Sequence, residues 1–199
     1  MKKMNSRNRT FQLALLAMLI AVLIVLGYVN IPMPAGLSIT FNMIPVAIAA
    51  IALGLPGGAI VGGAFGLISF LQCFNLFGYS AMGAELVVIS PFLAFLQRFV
   101  SRLLVGVLTA IIYRSLDRVN TPVRCGATGF AAAFLNTLFF MSLLVLLFGH
   151  TEYMQNAMAG RSIIAYIVAS VGINAVVEML VAAMVTSAVG TALVKSKLV

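Results

Sequence analysis

Charged residues, histidine and tryptophan are all scarce in this chain of 199 residues. It contains 12 Lys and Arg, 4 Asp and Glu, one His and no Trp, whereas 63% of its residues are apolar. A soluble domain of this length needs a polar exterior that so few charged residues cannot supply. The composition therefore excludes a soluble globular protein and predicts a chain that is surrounded by lipid.

The same scarcity excludes several kinds of site. Because His150 is the single histidine and no Cys or acidic residues cluster with it, we expect neither a catalytic site nor a metal site. No loop ending in Gly-Lys-Ser/Thr occurs, so we do not expect the chain to hydrolyse ATP. The absence of tryptophan disfavours an aromatic cage for a thiamin-like cation. An intramembrane hydrolase that uses Ser80 and His150 is one alternative, since Gly78–Ala81 faintly resembles the serine motif of rhomboid proteases.

Apolar stretches that approach the roughly 20 residues needed to cross a membrane recur along the chain. They predict an all-α membrane protein, with residues 1–199 forming one integral membrane domain. We expect six transmembrane helices, at about 11–28, 39–53, 58–74, 97–114, 125–148 and 162–194. The segment of about 75–96 is too long and too apolar for a simple connector. We expect it to fold against the outer side of the bundle as a gating segment.

Lysine and arginine are concentrated in one set of connections. The side that holds both termini would carry nine of the 12, namely Lys2, Lys3, Arg7, Arg9, Arg114, Arg118, Arg124, Lys195 and Lys197. The positive-inside rule then predicts that both termini are cytoplasmic. The net charge of +8 is explained by this orientation and by attraction to anionic lipid, and we expect no nucleic-acid partner. Cys73 and Cys125 would lie on opposite sides of the membrane, which excludes a disulfide between them.

Small residues recur at helical spacing in two of the predicted helices. Gly58, Gly62 and Gly66 are four residues apart, as expected where two helices pack closely in lipid. Ala17 and Ala21 form an Ala-x-x-x-Ala face on the first helix. This second face indicates either packing within the bundle or docking on another membrane protein.

Polar residues interrupt the apolar helices on defined faces. Tyr166, Ser170, Asn174 and Glu178 follow one another at a spacing of four in the last helix. An ionisable group in the membrane costs roughly 2.5–3.5 kcal/mol on insertion, so each needs a reason. We expect a cavity among the fourth to sixth helices that opens outward and binds substrate through Arg98, Arg102, Asn136, Tyr166, Asn174 and Glu178. Arg102 is the candidate clamp for a carboxylate, since a guanidinium grips this group bidentately.

Each of these residues also has a structural interpretation. Arg98 could extend to the outer headgroups, Glu178 could neutralise Arg102, and Asn136 could bond two helices together. If all three roles were structural, the chain would be a six-helix structural or assembly protein with no ligand.

Several motifs occur together along nearly the whole chain: Ala17–Ala21, Ile44–Val46, and Leu53–Gly54 leading to Gly58 and Gly62. In this combination the chain resembles the substrate-binding S components of energy-coupling factor (ECF) vitamin transporters. Finer motifs resemble the pantothenate branch of that family: Gly66–Phe70, Arg102–Gly106, Asn136 with Thr137, and Asn174 followed by Glu178.

The resemblance implies a function without catalysis. An S component of the prokaryotic plasma membrane captures a small water-soluble vitamin, here pantothenate, at the outer face and needs no cofactor. Its Ala17 and Ala21 face would dock on a transmembrane coupling (T) subunit, and two cytoplasmic ATPase subunits would drive uptake. Another carboxylated micronutrient is the alternative substrate.

Overall fold

The computed structural model describes residues 6–29, 31–32 and 38–196. Lys2, Lys3 and Lys197, which enter the orientation prediction, lie outside the described residues. The described part of the chain is almost wholly helical. Its helices are α1 (Ser6–Tyr28), α2 (Met43–Leu71), α3 (Ala81–Ile89), α4 (Pro91–Ser115), α5 (Thr121–Phe148), α6 (Glu152–Met158) and α7 (Ile163–Lys195).

A short antiparallel ladder departs from the purely helical prediction. Strand β1 (Ile31–Pro32) pairs with strand β2 (Ser38–Ile39), and Ile31 lies opposite Ile39. Both strands lie between α1 and α2, where prolines remove the backbone donors that a helix would need. The ladder turns this connection back on itself, and β2 leads directly to Thr40 at the candidate site.

The predicted second and third helices form one helical element with a break inside it. Gly54 has φ 65° and ψ −149°, a conformation that is open to glycine and closed to residues with a Cβ. The break lies in the gap between the predicted helices 39–53 and 58–74. The predicted start at residue 39 is wrong, because that residue belongs to β2 and the helix begins at Met43. After Leu71 a 3₁₀ turn, Gln72–Phe74, completes the stretch.

Serine caps explain why the predicted range 75–96 contains two helix starts. Ser80 accepts a hydrogen bond from the N–H of Gly83 at 3.2 Å and begins α3. Ser90 accepts one from the N–H of Leu93 at 3.4 Å, so α4 begins at Pro91 and not at residue 97. The fifth helix likewise starts earlier than residue 125, at Thr121, with Pro122 in its first turn.

Five helical stretches in the described part are long and apolar enough to cross a membrane. They are Arg9–Tyr28, Met43–Phe74, Pro91–Ser115, Thr121–Phe148 and Asn174–Lys195. Large apolar side chains on their outer surfaces are exposed, such as Leu13, Leu146 and Met184. An exposed apolar surface of this kind is stable against lipid and unstable against water.

Helix α2 lies at the centre of the bundle and packs against α1, α4, α5 and α7. The glycines at its surface set the distance to α4. A Cβ built on Gly58 would clash with the carbonyl oxygen of Gly106, and one on Gly66 would lie 2.9 Å from the Cα of Phe99. Gly58, Gly62 and Gly66 all lie in the α2–α4 contact, where an added methyl group has no room.

The apolar interior has two parts. The larger part runs through the bundle around α2 and includes Leu23, Val46 and Val61. The smaller part lies beneath α3 and α6, with Leu86 of α3 and Met154 of α6 both fully buried in it. Burial also raises the pKa of the nearby Tyr153 phenol. The short helices between the spans are therefore docked on the bundle.

A candidate ligand-binding cavity

A cavity with a mostly polar lining lies in the described part of the bundle. Its empty space, together with its open mouth, is about 810 Å³. Helices α2, α4, α5 and α7 supply the walls. The lining residues are Thr40, Asn42, Phe65, Ser69, Gln72, Tyr79, Ser80, Met82, Arg98, Arg102, Asn136, Thr137, Phe140, Met141, Asn174, Ala175 and Glu178.

Arg98 points into the protein. It is 4% exposed, and its Nη1 donates to the Oγ of Ser69 at 3.0 Å and to the carbonyl oxygen of that residue at 3.4 Å. Its Nη2 donates to the Oγ of Ser80 at 2.9 Å. The interpretation that Arg98 extends to the outer headgroups is therefore wrong. Its guanidinium instead ties α4 to the end of α2 and the start of α3.

Arg102 lies one turn further along α4 and is held between aromatic rings. Its Cζ is 4.6 Å from the ring centroid of Phe140 and 5.2 Å from that of Phe65. Both contacts stabilise the cation through the ring quadrupole. Its Nη1 donates to the Oγ of Ser101 at 2.8 Å, and its Nε is buried without a partner in the described part of the chain. The rings fix the guanidinium in place while leaving donors unused.

Other polar atoms of the cavity are also buried without a partner among the described residues. They are the Oδ1 atoms of Asn42, Asn136 and Asn174 and the Nε atoms of Arg98 and Arg102. Leaving a buried polar group unpaired costs about 1–3 kcal/mol, and more for a charged group. These three acceptors and two donors all belong to residues that line one cavity, which is the pattern of a site completed by a polar ligand.

Glu178 faces the same cavity from α7. Its Oε1 accepts a hydrogen bond from the backbone N–H of Thr40 at 2.7 Å, which joins α7 to the segment after β2. Glu178 and Arg102 form no direct ion pair in the described part of the chain, where each has another hydrogen-bond partner. Both remain available to a ligand between them.

The structure places most of the predicted site residues together and one elsewhere. Arg98, Arg102, Asn136, Asn174 and Glu178 all line the cavity. The prediction for Tyr166 is wrong: it is 3% exposed and lies in the apolar cluster beneath α3 and α6. The helical spacing does place it on the same face as Asn174, but two turns away, beyond the end of the cavity. The Ser170 side chain lies outside the described part.

Several lining residues were missed from the sequence. Ser69 and Asn42 carry the same signal as Asn136, a polar side chain in or beside an apolar helix, and could have been found by it. Phe65 and Phe140 carried no such signal, because nothing distinguishes them from the other phenylalanines of the chain.

The hydrolase interpretation has no geometry to support it. The Ser80 hydroxyl is engaged by the Gly83 N–H and by Arg98, neither of which is a base. His150 is exposed at the end of α5 and has no contact with Ser80 in the described residues. Within those residues, no three His, Cys, Asp or Glu side chains group to hold a metal ion.

A second surface of interest lies on α1. The side chains of Leu15, Leu19 and Leu23 are buried against the bundle, each 5% exposed or less. Ala17 and Ala21 are exposed on the opposite side of the helix. Their small side chains leave the backbone of α1 open to close approach by another helix.

Comparison with known proteins decides the family. The model of the family described as ECF transporter, substrate-specific component, matches residues 11–190. This chain is an ECF S component. The resemblance inferred from the short motifs is thereby confirmed, and the protein is a multi-pass protein of a prokaryotic plasma membrane. Its family provides the substrate-binding part of a transporter.

Two relatives of this S component align over nearly their whole lengths. The "Pantothenate transporter PanT" of Leuconostoc mesenteroides subsp. mesenteroides is 28% identical over 198 residues, covering 95% of each chain. The "Pantothenic acid transporter PanT" of Lactococcus lactis subsp. cremoris is 28% identical over 203 residues, covering 96% of this chain and 97% of its own.

Proposed function

We propose that this S component captures pantothenate at the outer face of the membrane and delivers it for uptake driven by partner subunits. The observation that carries the proposal is the set of unpaired polar atoms on residues that line one cavity, with Arg102 in contact with two aromatic rings. Pantothenate presents one carboxylate, one amide and two hydroxyl groups. These are the partners that two arginines, three asparagine amides and a glutamate require.

The names of the two relatives support the choice among carboxylated nutrients. Both are described as transporters of pantothenate, and they align with 95% and 96% of this chain. Another carboxylated micronutrient is the alternative, since the arginine clamp alone recognises any carboxylate.

We propose six crossings, with both termini in the cytoplasm. The break at Gly54 inside the longest apolar stretch supports counting that stretch as two crossings, one on each side of the break. An even number of crossings places both ends of the chain on one side. The concentration of Arg114, Arg118, Arg124 and Lys195 between or after the spans supports the cytoplasmic assignment.

The proposed partners are a transmembrane coupling subunit and two cytoplasmic ATPase subunits. The family membership supports a division of labour between substrate binding and ATP hydrolysis. The exposed Ala17 and Ala21 on α1 are the proposed contact with the coupling subunit, because helices approach most closely at small residues.

Isothermal titration calorimetry on the purified chain in detergent tests the substrate. We expect one pantothenate per chain, and binding weakened by roughly 100-fold or more in Arg102→Gln, because a charged partner is lost from a buried contact. Arg118→Gln is the control, since this arginine is exposed outside the cavity.

Two results would contradict the proposal. Binding of a different carboxylated vitamin in place of pantothenate would retain the site and reject the substrate. Absence of any heat across a panel of vitamins, from protein whose helicity is intact, would favour the structural alternative.

A further inference from the structure

The cavity has a cationic wall and an acidic wall that do not touch. Arg98 and Arg102 belong to α4, whereas Asn174 and Glu178 belong to α7. Helices α2 and α5 each pack against both α4 and α7 and so hold these two walls apart. Opposite charges that share a cavity without pairing are costly, so a ligand is expected to join them.

The cationic wall suits a planar anion. The guanidinium of Arg102 is stacked against Phe140, and its buried Nε has no partner in the described part of the chain. The Nε edge of a guanidinium is one of its bidentate faces for a carboxylate. Because most donors of Arg98 are already taken by Ser69 and Ser80, the anionic end of the ligand belongs on Arg102.

The acidic wall offers acceptors. Glu178 uses Oε1 to accept from Thr40, and its other carboxylate oxygen has no hydrogen-bond partner among the described residues. One helical turn away, the Oδ1 of Asn174 is also unpaired. A carboxylate and an amide oxygen match hydroxyl donors, whereas a second anion placed there would be repelled.

We propose that the site binds its ligand in one orientation, with the carboxylate on Arg102 and the hydroxyl-bearing end on Glu178 and Asn174, and that Glu178 rejects any ligand with a second anionic group at that end. The inference rests on the proposed function. For pantothenate it means that the free vitamin is accepted. The same molecule with a phosphate ester on its terminal hydroxyl is refused, because the phosphate would face the Glu178 carboxylate.

Calorimetry of the full chain in detergent with three ligands tests this. Pantothenate is compared with panthenol, in which a neutral hydroxymethyl group replaces the carboxylate, and with 4′-phosphopantothenate. We expect wild type to bind pantothenate roughly 100-fold or more tightly than either analogue, the scale of one lost or one repulsive buried charge contact.

Two variants test the acidic wall and the cationic wall of the site one at a time. Glu178→Gln removes the charge but keeps an oxygen for the Thr40 N–H, and we expect it to reduce discrimination against the phosphate ester at least about tenfold. Its preference for pantothenate over panthenol should stay unchanged. Arg102→Gln should bring pantothenate down to the affinity of panthenol. Glu85→Gln and Arg118→Gln, both at exposed positions, are the matched controls and should alter neither ratio.

Three results would overturn the inference. Equal binding of pantothenate and its phosphate ester by wild type would show that no second anion is rejected. If Glu178→Gln still rejected the phosphate ester as strongly as wild type, the rejection would come from the shape of the cavity and not from the Glu178 charge. If Glu178→Gln instead changed the preference over panthenol, and Arg102→Gln changed the rejection of the phosphate ester, the ligand would bind in the opposite orientation. Failure of wild type to bind pantothenate at all is a separate result, which removes the proposed function and this inference with it.

Discussion

Gly62 of α2 lies against the backbone carbonyl of Arg102 in α4, so closely that a Cβ on the glycine would be 2.7 Å from that oxygen. The contact connects the scaffold to the site. Because α2 has no side chain at this point, α4 approaches closely enough for Arg102 to stack against Phe65 of α2 at 5.2 Å. The small residue therefore positions the charged one.

Gly62→Ala should weaken both the fold and the site. The added methyl group meets backbone, which cannot rotate away, so α4 must shift and stability should fall by about 1–3 kcal/mol. Thermal unfolding in detergent measures the first effect, and pantothenate affinity measures the second.

Gly63→Ala is the control for this prediction. A Cβ there would have ordinary contacts, 3.8 Å from Leu103 and 3.9 Å from Phe99, and the change should be neutral or slightly stabilising. Equal unfolding temperatures for the two variants would contradict the close-packing argument.

Ser80→Ala should cost more than Ser90→Ala. Both serines cap a helix, but only the Ser80 hydroxyl also accepts from the Arg98 guanidinium, at 2.9 Å. Loss of the cap costs about 1 kcal/mol in each variant. Ser80→Ala also removes a hydrogen bond to a buried cation, worth about 1.5–3 kcal/mol.

Thermal unfolding of the two serine variants measures the difference in stability, and hydrogen exchange locates it. We expect faster exchange across α3 in Ser80→Ala and no change there in Ser90→Ala. If exchange in α3 is equal in both variants, the Arg98 contact does not hold this helix.

The helices and the polar wall residues could be predicted because their signals are local. Apolar runs of membrane length identified each span, and a charged or amide side chain within such a run is costly enough to indicate a cavity. Arg102, Asn136 and Glu178 were found in this way. The starts at Ser6 and Thr121 were missed because polar residues precede the apolar run in α1 and α5. The start of α4 at Pro91 was missed because the apolar residues 91–96 were assigned to the preceding outer segment.

Long-range geometry could not be predicted. The hydrogen bond from Thr40 to Glu178 joins residues 138 positions apart, and no spacing rule connects them. Stacking of Arg102 on Phe65 and Phe140 depends on how α2, α4 and α5 meet. Tyr166 shows the opposite error: the helical period placed it on the correct face, but the period says nothing of where along the helix the cavity ends.

Thr40→Pro should speed release of bound ligand. Proline has no N–H to donate to Glu178, so the segment after β2 loses its tie to α7. A hydrogen bond to a charged group is worth about 1.5–3 kcal/mol, so dissociation should be roughly tenfold faster or more. Ile39 precedes this position in an extended strand, the conformation that a following proline requires.

Thr40→Ser keeps the backbone donor and is the control for Thr40→Pro. A chase of labelled pantothenate by unlabelled ligand measures both release rates. Equal rates for the two variants would show that the Thr40 contact does not retain the ligand.

Enlarging the exposed face of α1 should separate assembly from binding. In the double variant Ala17→Leu with Ala21→Leu, the added side chains project away from the buried Leu19, into lipid or toward a partner. The added leucine side chains do not reach the cavity, so pantothenate affinity should be unchanged.

The same leucine side chains would prevent close approach of another helix, and we expect co-purification with the coupling subunit and its ATPases to be lost. Ala188→Leu makes the same change at an exposed alanine of α7 and should leave assembly intact. Normal assembly of the double variant would show that the coupling subunit docks on another surface.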